Sequence, residues 1–118
     1  MPVETDEARK ERTDLSSLRM SDDASAAVQK TPNRVTLDSM LAKIVETEFI
    51  RPTTIPHMTI CVLVMKNGFA VVGKSAPADA GNFDEELGHK FAKEDAVRQL
   101  WAFEGYALRE QMSNGDTT

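Results

Sequence analysis

The chain has 118 residues, a formal net charge of −5 and one cysteine, Cys61. This length favours a single domain with a tail, and the acidic balance disfavours non-specific binding to nucleic acid, whose phosphates must be neutralised by Lys and Arg. No apolar run approaches the roughly 20 residues of a membrane-spanning helix, and the first residues lack the apolar core of a signal peptide, so no membrane association is expected. Cys61 cannot form an internal disulfide, which fits a reducing cytosol.

Residues 1–33 are predicted to form a flexible N-terminal arm. They mix acidic and basic side chains, include no aromatic residue and contain no sustained apolar stripe. Such a segment is expected to bury too little apolar surface to offset the entropy lost on ordering. A transient helix around residues 5–20 and an arm that folds on a partner are the two alternatives to a wholly mobile segment.

A compact α+β domain is expected over residues 34–113, and it begins with a helix. Thr36 is a candidate N-cap, and Asp38 suits the positively polarised first turn. Pro52 disfavours helix at the residue before it, so the helix is expected to end near Ile50. The apolar side chains recur with helical spacing at Leu37, Met40, Leu41, Ile44 and Val45.

The next segment predicts an antiparallel β-hairpin, because Asn67-Gly68 separates two apolar, β-branched runs. A two-residue type I′ turn at this position places Val64 opposite Val71. Both faces of the hairpin are then apolar, which differs from a half-exposed hairpin with alternating polar positions. Either helices cover both faces or a second chain does, and we therefore predict self-association.

A long C-terminal helix is expected after Asn82, which is a candidate N-cap with Glu85 completing a capping box. Gly88 interrupts the helical pattern and indicates a close approach there by the hairpin, a second subunit or a ligand. Glu104-Gly105 leaves open whether the helix breaks there, and residues 114–118 are predicted to fray. The expected core stripe comprises Phe83, Leu87, Phe91, Ala96, Val97, Leu100 and Trp101. The predicted fold class is α+β: helix, antiparallel β-hairpin and long C-terminal helix, with a mobile N-terminal arm.

The octet GFAVVGKS, from Gly68 to Ser75, matches the P-loop pattern G-x-x-x-x-G-K-[ST]. In a P-loop the variable residues form a nest of N–H groups around phosphate, and the final triplet opens a helix. Here Gly68 belongs to a hairpin turn, the variable residues are typical of a strand, and Ala76-Pro77 follows. A nucleotidase also needs several βαβ units of about 30 residues each. We interpret the match as accidental.

No catalytic constellation is evident, so we expect no enzyme activity. His57 and His89 belong to no H-x-x-x-H or C-x-x-C pattern, and neither a metal nor a cofactor is expected. Cys61 lies in an apolar strand, where a buried and inert thiol is the default.

Several cationic and polar residues are candidates for ligand or partner binding. Lys74 and Ser75 end a predicted strand, and Lys90 and Arg98 lie on a basic side of the long helix, where Glu94 is four residues from each. Such i,i+4 pairs also fit a solvated helix surface. The candidate ligand- or partner-binding residues are Lys74, Ser75, Lys90, Arg98 and Tyr106.

A family resemblance covers the stretch Cys61–Arg109. The matching residues include Lys66-Asn67-Gly68-Phe69, Val72-Gly73-Lys74-Ser75-Ala76, Asn82-Phe83-Asp84, Gly88-His89-Lys90, Trp101 and Glu104-Gly105-Tyr106. This combination resembles a family of small bacteriophage proteins of the gene-49/gene-66 type. Members often have proline after the tryptophan, where this chain has Ala102. The resemblance implies a phage or prophage origin and expression in the cytoplasm of the infected bacterial host, and it implies no reaction.

Three functions fit these expectations. The leading hypothesis is a non-enzymatic phage accessory protein that binds and blocks a host protein in antiviral defence or host takeover. The first alternative is an oligomeric binder that sequesters a nucleotide immune signal, and the second is a virion or assembly protein.

Overall fold

The computed structural model describes residues 15–115, which form a three-stranded antiparallel sheet with helices packed on one face. The strand order in the sheet is the order along the chain. The predicted α+β class is therefore confirmed. The elements are α1 (Ser16–Ala27), α2 (Leu37–Leu41), β1 (Ile44–Ile50), β2 (Thr59–Met65), β3 (Ala70–Ser75), a 3₁₀ turn (Ala80–Asn82) and α3 (Glu85–Ser113).

Helix α1 lies within the segment that was predicted to be an arm. Leu18 on α1 is only 5% exposed and joins the core together with Leu15. Asp22 holds the chain that follows, because its carboxylate accepts hydrogen bonds from Arg34 at 2.8 Å and from the Leu37 N–H at 3.2 Å. Leu15 and Leu18 thus contribute to the core, although the segment was predicted to bury too little apolar surface to become ordered. Residues 1–14, most of the predicted transient helix, and residues 116–118 lie outside the described residues, and the mobility of the arm stays a prediction.

The first predicted helix is much shorter than expected. Thr36 is the N-cap and forms a capping box with Ser39, as its sequence position suggested, but α2 ends at Leu41. Residues 44–50 form β1 instead, paired with β2. The helical spacing of Ile44 and Val45 was misleading because a β-branched segment beside an apolar strand gains more from pairing backbone groups across the sheet than from continuing a helix.

The hairpin has a three-residue loop, Lys66 to Gly68, rather than the predicted two-residue turn. The Met65 N–H donates to Phe69 O at 2.8 Å, and the Gly68 N–H donates to Met65 O at 2.9 Å. Only Gly68 has positive φ in this loop, at +89°, so a type I turn followed by a left-handed glycine replaces type I′. The register accordingly places Leu63 opposite Val71, which corrects the predicted pairing of Val64 with Val71.

This one-residue change in register exchanges the two faces of β3. Val71 and Gly73 are buried on the face that carries Leu63, whereas Val72 is 53% exposed on the opposite face. Of the two alternatives for covering the hairpin, helices on both faces are excluded for residues 15–115, because the described helices leave the second face open. We call this second face the open face; its apolar residues are Ile50, Ile60, Val62, Val64 and Val72.

Helix α3 begins two residues later than predicted. Asp84 is its N-cap and accepts a hydrogen bond from the Leu87 N–H at 2.9 Å. The predicted cap, Asn82, ends the 3₁₀ turn, which Asp79 caps by accepting from the Gly81 N–H. Because this turn has its own acidic cap, the helix starts only after the chain extends through Phe83. The helix then continues through Gly105 to Ser113, so Glu104-Gly105 does not break it.

Small residues form the contact between α3 and the sheet. A Cβ on Gly73 would lie 2.3 Å from Ala92 O and from Ala96 N, so the backbones of β3 and α3 touch directly. A Cβ on Gly88 would lie 2.4 Å from Thr59 Oγ1, which supports the predicted close approach at that glycine. The predicted core positions Leu87 and Phe91 are about half exposed instead, because a bulky residue does not fit between two backbones this close.

Candidate functional site

The P-loop match is explained by packing rather than by phosphate binding. Gly68 provides the positive φ of the hairpin loop, and Gly73 allows α3 to approach β3. The four residues between them belong to the loop end and to β3, so they adopt hairpin and strand conformations and form no nest. The interpretation of the match as accidental is confirmed by this geometry.

Four of the five candidate binding residues nevertheless lie together. Lys74 and Ser75 at the end of β3 and Lys90 and Arg98 on α3 line one concavity of about 470 Å³. The first turn of α1 borders the same space with Ser16 and Ser17. We call this concavity the basic recess and define it by Lys74, Ser75, Lys90, Phe91, Glu94 and Arg98.

Two carboxylates in the basic recess have structural partners. Asp95 accepts a hydrogen bond from the Lys74 backbone N–H at 2.9 Å, and one of its oxygens lies 3.8 Å from Arg98. Glu94 is only 7% exposed and accepts a hydrogen bond from the Ser17 hydroxyl, which ties α1 to α3. Within residues 15–115 Glu94 forms no ion pair with Lys90 or Arg98, so the helical pairs suggested by the sequence are absent there.

Helix α3 also shields the outer edge of β3. The Gln99 side chain donates to Val72 O at 2.7 Å, and Asp95 accepts from the next outward N–H, that of Lys74. These contacts satisfy edge groups that would otherwise pair with another strand. They also fix the end of β3, and with it Lys74 and Ser75, against the helix that carries Lys90 and Arg98.

Tyr106, the fifth candidate residue, lies on a different part of the surface. It is 70% exposed on the later turns of α3, one turn after Phe103. Phe103 packs edge-to-face against Phe69 of the hairpin, with 4.9 Å between ring centroids. A groove of about 440 Å³ opens beside this pair, and we call it the aromatic groove; it is lined by Met65, Phe69, Leu100, Phe103, Glu104 and Ala107.

The aromatic groove exists because α3 is longer than the sheet. Its 29 residues span about 43 Å, whereas strands of six or seven residues span about 20–23 Å. The helix side that covers β2 and β3 therefore continues past the hairpin, where Phe103 and Ala107 have no strand beneath them. Lys43 and Glu104 form an ion pair at the edge of the groove and connect the helix to the start of β1.

A family model described as Phage protein (N4 Gp49/phage Sf6 gene 66) family matches residues 35–112. The chain belongs to this family. The resemblance noted from the residues is thus confirmed. The matched span includes the whole sheet, the aromatic groove and all six residues that define the basic recess. Neither the curated proteins nor the solved structures compared with the chain gave a match.

This phage protein has, in its described part, no helix that combines the length and the apolar character needed to cross a membrane. Within the same residues, no three His, Cys, Asp or Glu side chains are grouped so that they could hold a metal ion. His89 stacks on Phe49 with 4.2 Å between ring centroids, and His57 borders a smaller concavity of about 240 Å³ beside Phe83.

Cys61 is fully buried on the α3-facing side of β2. Burial raises the pKa of its thiol from 9.0 to about 11, against a smaller opposing effect of the nearby Lys93 charge. Because the thiolate is the reactive form, the thiol is unreactive near neutral pH. The prediction of a buried and inert thiol agrees with this position.

Sequence reasoning missed the aromatic groove. Phe69 looked like a strand residue, and Phe103 fell outside the expected core stripe. One signal was available, because Phe69 directly follows the turn glycine and Phe103 is three residues after Leu100 on the helix. The long helix continues well beyond the length of two short strands, so large side chains on its later turns are expected to lack a covering sheet.

Proposed function

We propose that this phage protein is a non-enzymatic accessory protein that binds and blocks a host protein in the cytoplasm of the infected bacterium, in antiviral defence or host takeover. The observation that carries the proposal is the aromatic groove. Phe69 and Phe103 are nearly half exposed and Tyr106 is 70% exposed, all at one end of the molecule. Exposed aromatic residues beside a concave apolar surface are typical of protein-binding sites.

The lining of the groove indicates the chemistry of the partner. Its floor is apolar, with Met65 and Leu100 below the aromatic pair, and its rim carries Lys66, Asn67 and the Lys43–Glu104 ion pair. Such a site fits a host protein segment that inserts one or two large apolar side chains and presents polar groups around them. Tyr106 extends the contact along α3, because one helical turn separates it from Phe103.

Affinity purification from phage-infected cells tests this proposal. The tagged protein is compared with the triple variant Phe69→Ser, Phe103→Ser, Tyr106→Ser, and captured host proteins are quantified by mass spectrometry. We expect one host protein to be retained by the wild type and reduced at least about tenfold by the variant, since single interface aromatics contribute about 2 kcal/mol or more. The purified pair should show the same loss of affinity.

A matched control removes apolar side chains from another surface. Met20 and Val28 on and just after α1 are both more than two-thirds exposed. The double variant Met20→Ser, Val28→Ser should retain the captured protein. A phage that lacks the gene should plate poorly on the relevant host and be rescued by the wild type and this control, but not by the groove variant. Equal capture and equal rescue by the groove variant would overturn the proposal.

An assembly role is the competing function, and purified particles distinguish it. If the protein is present in washed virions at a fixed ratio to the capsid protein, the proposal of a cytoplasmic blocker fails. Its absence from particles, together with a groove-dependent host partner, supports the blocker.

The open face supports a second proposal, that two copies associate. Glu46 and Glu48 on β1 and Lys74 on β3 frame the apolar centre of this face. A two-fold axis parallel to the strands places β1 of one copy over β3 of the other, so the apolar residues of the two open faces cover each other. Light scattering at micromolar concentration should give a dimer mass, and Val72→Asp should give a monomer. Val28→Asp is the control that stays dimeric, and a monomeric wild type contradicts the proposal.

A further inference from the structure

We propose that the outer edge of β1 binds an extended segment of a partner protein as a fourth strand, and that this segment carries Lys or Arg at two alternate positions. The two edges of the sheet differ. Gln99 and Asp95 of α3 bond the outward backbone groups of β3, whereas among residues 15–115 nothing bonds those of β1. An open strand edge of this kind is a template on which a further strand can pair.

The hydrogen-bond pattern shows which groups of β1 point outward. The Met65 N–H donates to the chain on the β3 side of the sheet, so odd-numbered residues of β2 bond toward β3 and even-numbered residues bond toward β1. Glu46 and Glu48 pair with even-numbered residues, and their backbone groups are therefore used within the sheet. Thr47 and Phe49 alternate with them, so the N–H and C=O groups of these two residues point away from β2.

The length of the open edge limits the length of the added strand. The register of β1 shifts between Ile44 and Glu46, and such a bulge interrupts regular pairing at the start of the strand. The regular edge therefore runs from Glu46 to Ile50. The helices lie mainly over β2 and β3, and residues 45–48 are all exposed. A segment of about four residues can thus pair here, which is within the usual length of a short strand.

Two glutamates favour a basic sequence in the added strand. The side chains of Glu46 and Glu48 lie on the open face, because their partners on β2 are Val64 and Val62. In an antiparallel added strand, the residues opposite these glutamates have their side chains on the same face, in a strand about 4.8 Å away. Lys or Arg at these positions forms opposite-charge pairs, whereas Asp or Glu is repelled. The residues between them face the helix side and pair with Thr47 and Phe49.

The same glutamates disfavour a second copy of β1 as the added strand. Antiparallel pairing about Thr47 would place Glu46 of each copy opposite Glu48 of the other and bring four carboxylates together. Like charges directly opposite each other destabilise a strand pair. The edge therefore discriminates against its own copy and in favour of a basic segment, which is specificity achieved partly by repulsion. This surface is separate from the aromatic groove, and the inference does not rest on it.

A fluorescein-labelled octapeptide with the core Val-Lys-Val-Lys tests the proposal on the full chain by fluorescence anisotropy. Its valines lie opposite Thr47 and Phe49, and its lysines lie opposite Glu46 and Glu48. We expect saturable binding, which is lost when both valine backbone nitrogens are methylated, since their N–H groups donate to β1. Methylation of both lysine backbone nitrogens should be tolerated, because those groups point away from β1. Glutamates in place of the lysines should abolish binding.

Variants separate the backbone of the edge from its charge. Thr47→Pro removes an outward N–H but no bond to β2, a change that edge strands tolerate, and should weaken the peptide about tenfold. Thr47→Ala keeps this N–H and should bind like the wild type. Glu46→Gln with Glu48→Gln should weaken the peptide about fivefold. The control Glu85→Gln with Glu86→Gln removes the same charge from the exposed first turn of α3 and should have no effect.

Amide hydrogen exchange detects the added strand directly. In the free protein the amides of Thr47 and Phe49 should exchange faster than those of Glu46 and Glu48, which bond to β2. The peptide should slow the first pair and leave the second unchanged. Thermal melts verify that each variant is folded, and the methylated peptides test the same bonds on the unaltered chain. The proposal fails if the peptide shows no saturable binding at millimolar concentration, if valine methylation has no effect, or if the α3 control weakens binding as much as the edge variant.

Discussion

The two halves of helix α3 differ in what they contact. The first half, residues 85–100, lies directly on the sheet through Gly88, Ala92 and Ala96, and all three are buried. The second half, residues 101–113, passes beyond the hairpin and exposes Phe103 and Tyr106. One uninterrupted helix thus has small residues where it is covered and large aromatic residues where it is not.

This difference separates stability from binding along a single element. Close contact between two backbones requires small side chains, and any added atom there displaces the whole helix. Where no strand lies beneath the helix, a large side chain adds little to the core and remains available to a partner. We therefore expect substitutions in the first half to change the free energy of unfolding, and substitutions in the second half to change mainly binding.

The substitution Gly73→Ala should cause the largest loss of stability, because it disrupts the contact between β3 and the first half of α3. The new Cβ would lie 2.3 Å from two backbone atoms of α3, which cannot rotate away as a side chain can. We expect a loss of at least about 3 kcal/mol, at the upper end of overpacking effects, and a fall in Tm of at least about 12 °C. Urea and thermal denaturation measure both quantities. A Tm within about 2–3 °C of the wild type, less than the shift expected for a loss of even 1 kcal/mol, would show that α3 does not rest on β3 as described.

The second prediction concerns the dry interior beneath the first half of α3. Burial raises the pKa of Cys61 from 9.0 to about 11, so the unfolded chain loses its thiol proton at lower pH than the folded one. This pKa difference contributes to the free energy of unfolding. The contribution is complete below about pH 9 and is lost as the pH rises to about 11. Two pKa units correspond to about 2–3 kcal/mol.

Urea denaturation of the wild type and Cys61→Ala between pH 8 and pH 11 checks this effect. Other groups titrate in the same window, so the quantity that matters is the difference between the two proteins. The wild type should lose stability relative to Cys61→Ala as the pH rises. Parallel pH profiles would mean that water reaches Cys61 in the folded state.

Local patterns predicted some of these features correctly. The N-cap at Thr36 was predictable because capping depends only on neighbouring residues. The hairpin loop near Asn67-Gly68 was predictable for the same reason, since the chain reversal requires a residue with positive φ. The close approach at Gly88 was also predictable, because a glycine that weakens a helix usually has a packing reason.

Features that depend on distant contacts could not be predicted in this way. Whether Ile44 continues a helix or starts β1 is decided by the free edge of β2, which lies far along the chain. The exact register required knowing that Gly73 must face α3, and a shift of one residue exchanges Val71 and Val72. For the candidate site, the charges at Lys74, Lys90 and Arg98 were visible, but the contact of α1 with Glu94 was not.

The third prediction uses Gly88, whose neighbour is a side chain rather than backbone. A Cβ there would lie 2.4 Å from Thr59 Oγ1, a buried hydroxyl with no hydrogen-bond partner among the described residues. Gly88→Ala should destabilise the protein by a net amount of about 1 kcal/mol. The steric clash costs more than the gain of about 1 kcal/mol that alanine brings in helix propensity. In a Thr59→Ala background the same change should stabilise. Additive effects in this double-mutant cycle would contradict the contact.

The smallest effect is expected in the second half of α3, and it has the opposite sign. Nothing lies within 4 Å of a Cβ built on Gly105, although this residue is inside a helix, as Gly88 is. Gly105→Ala should therefore stabilise the protein by about 0.5–1 kcal/mol through helix propensity alone. The same substitution thus costs stability at Gly73 and Gly88 and adds it at Gly105. If Gly105→Ala lowers Tm, the second half of the helix is packed against something, and the aromatic groove is then not an accessible surface of the isolated chain.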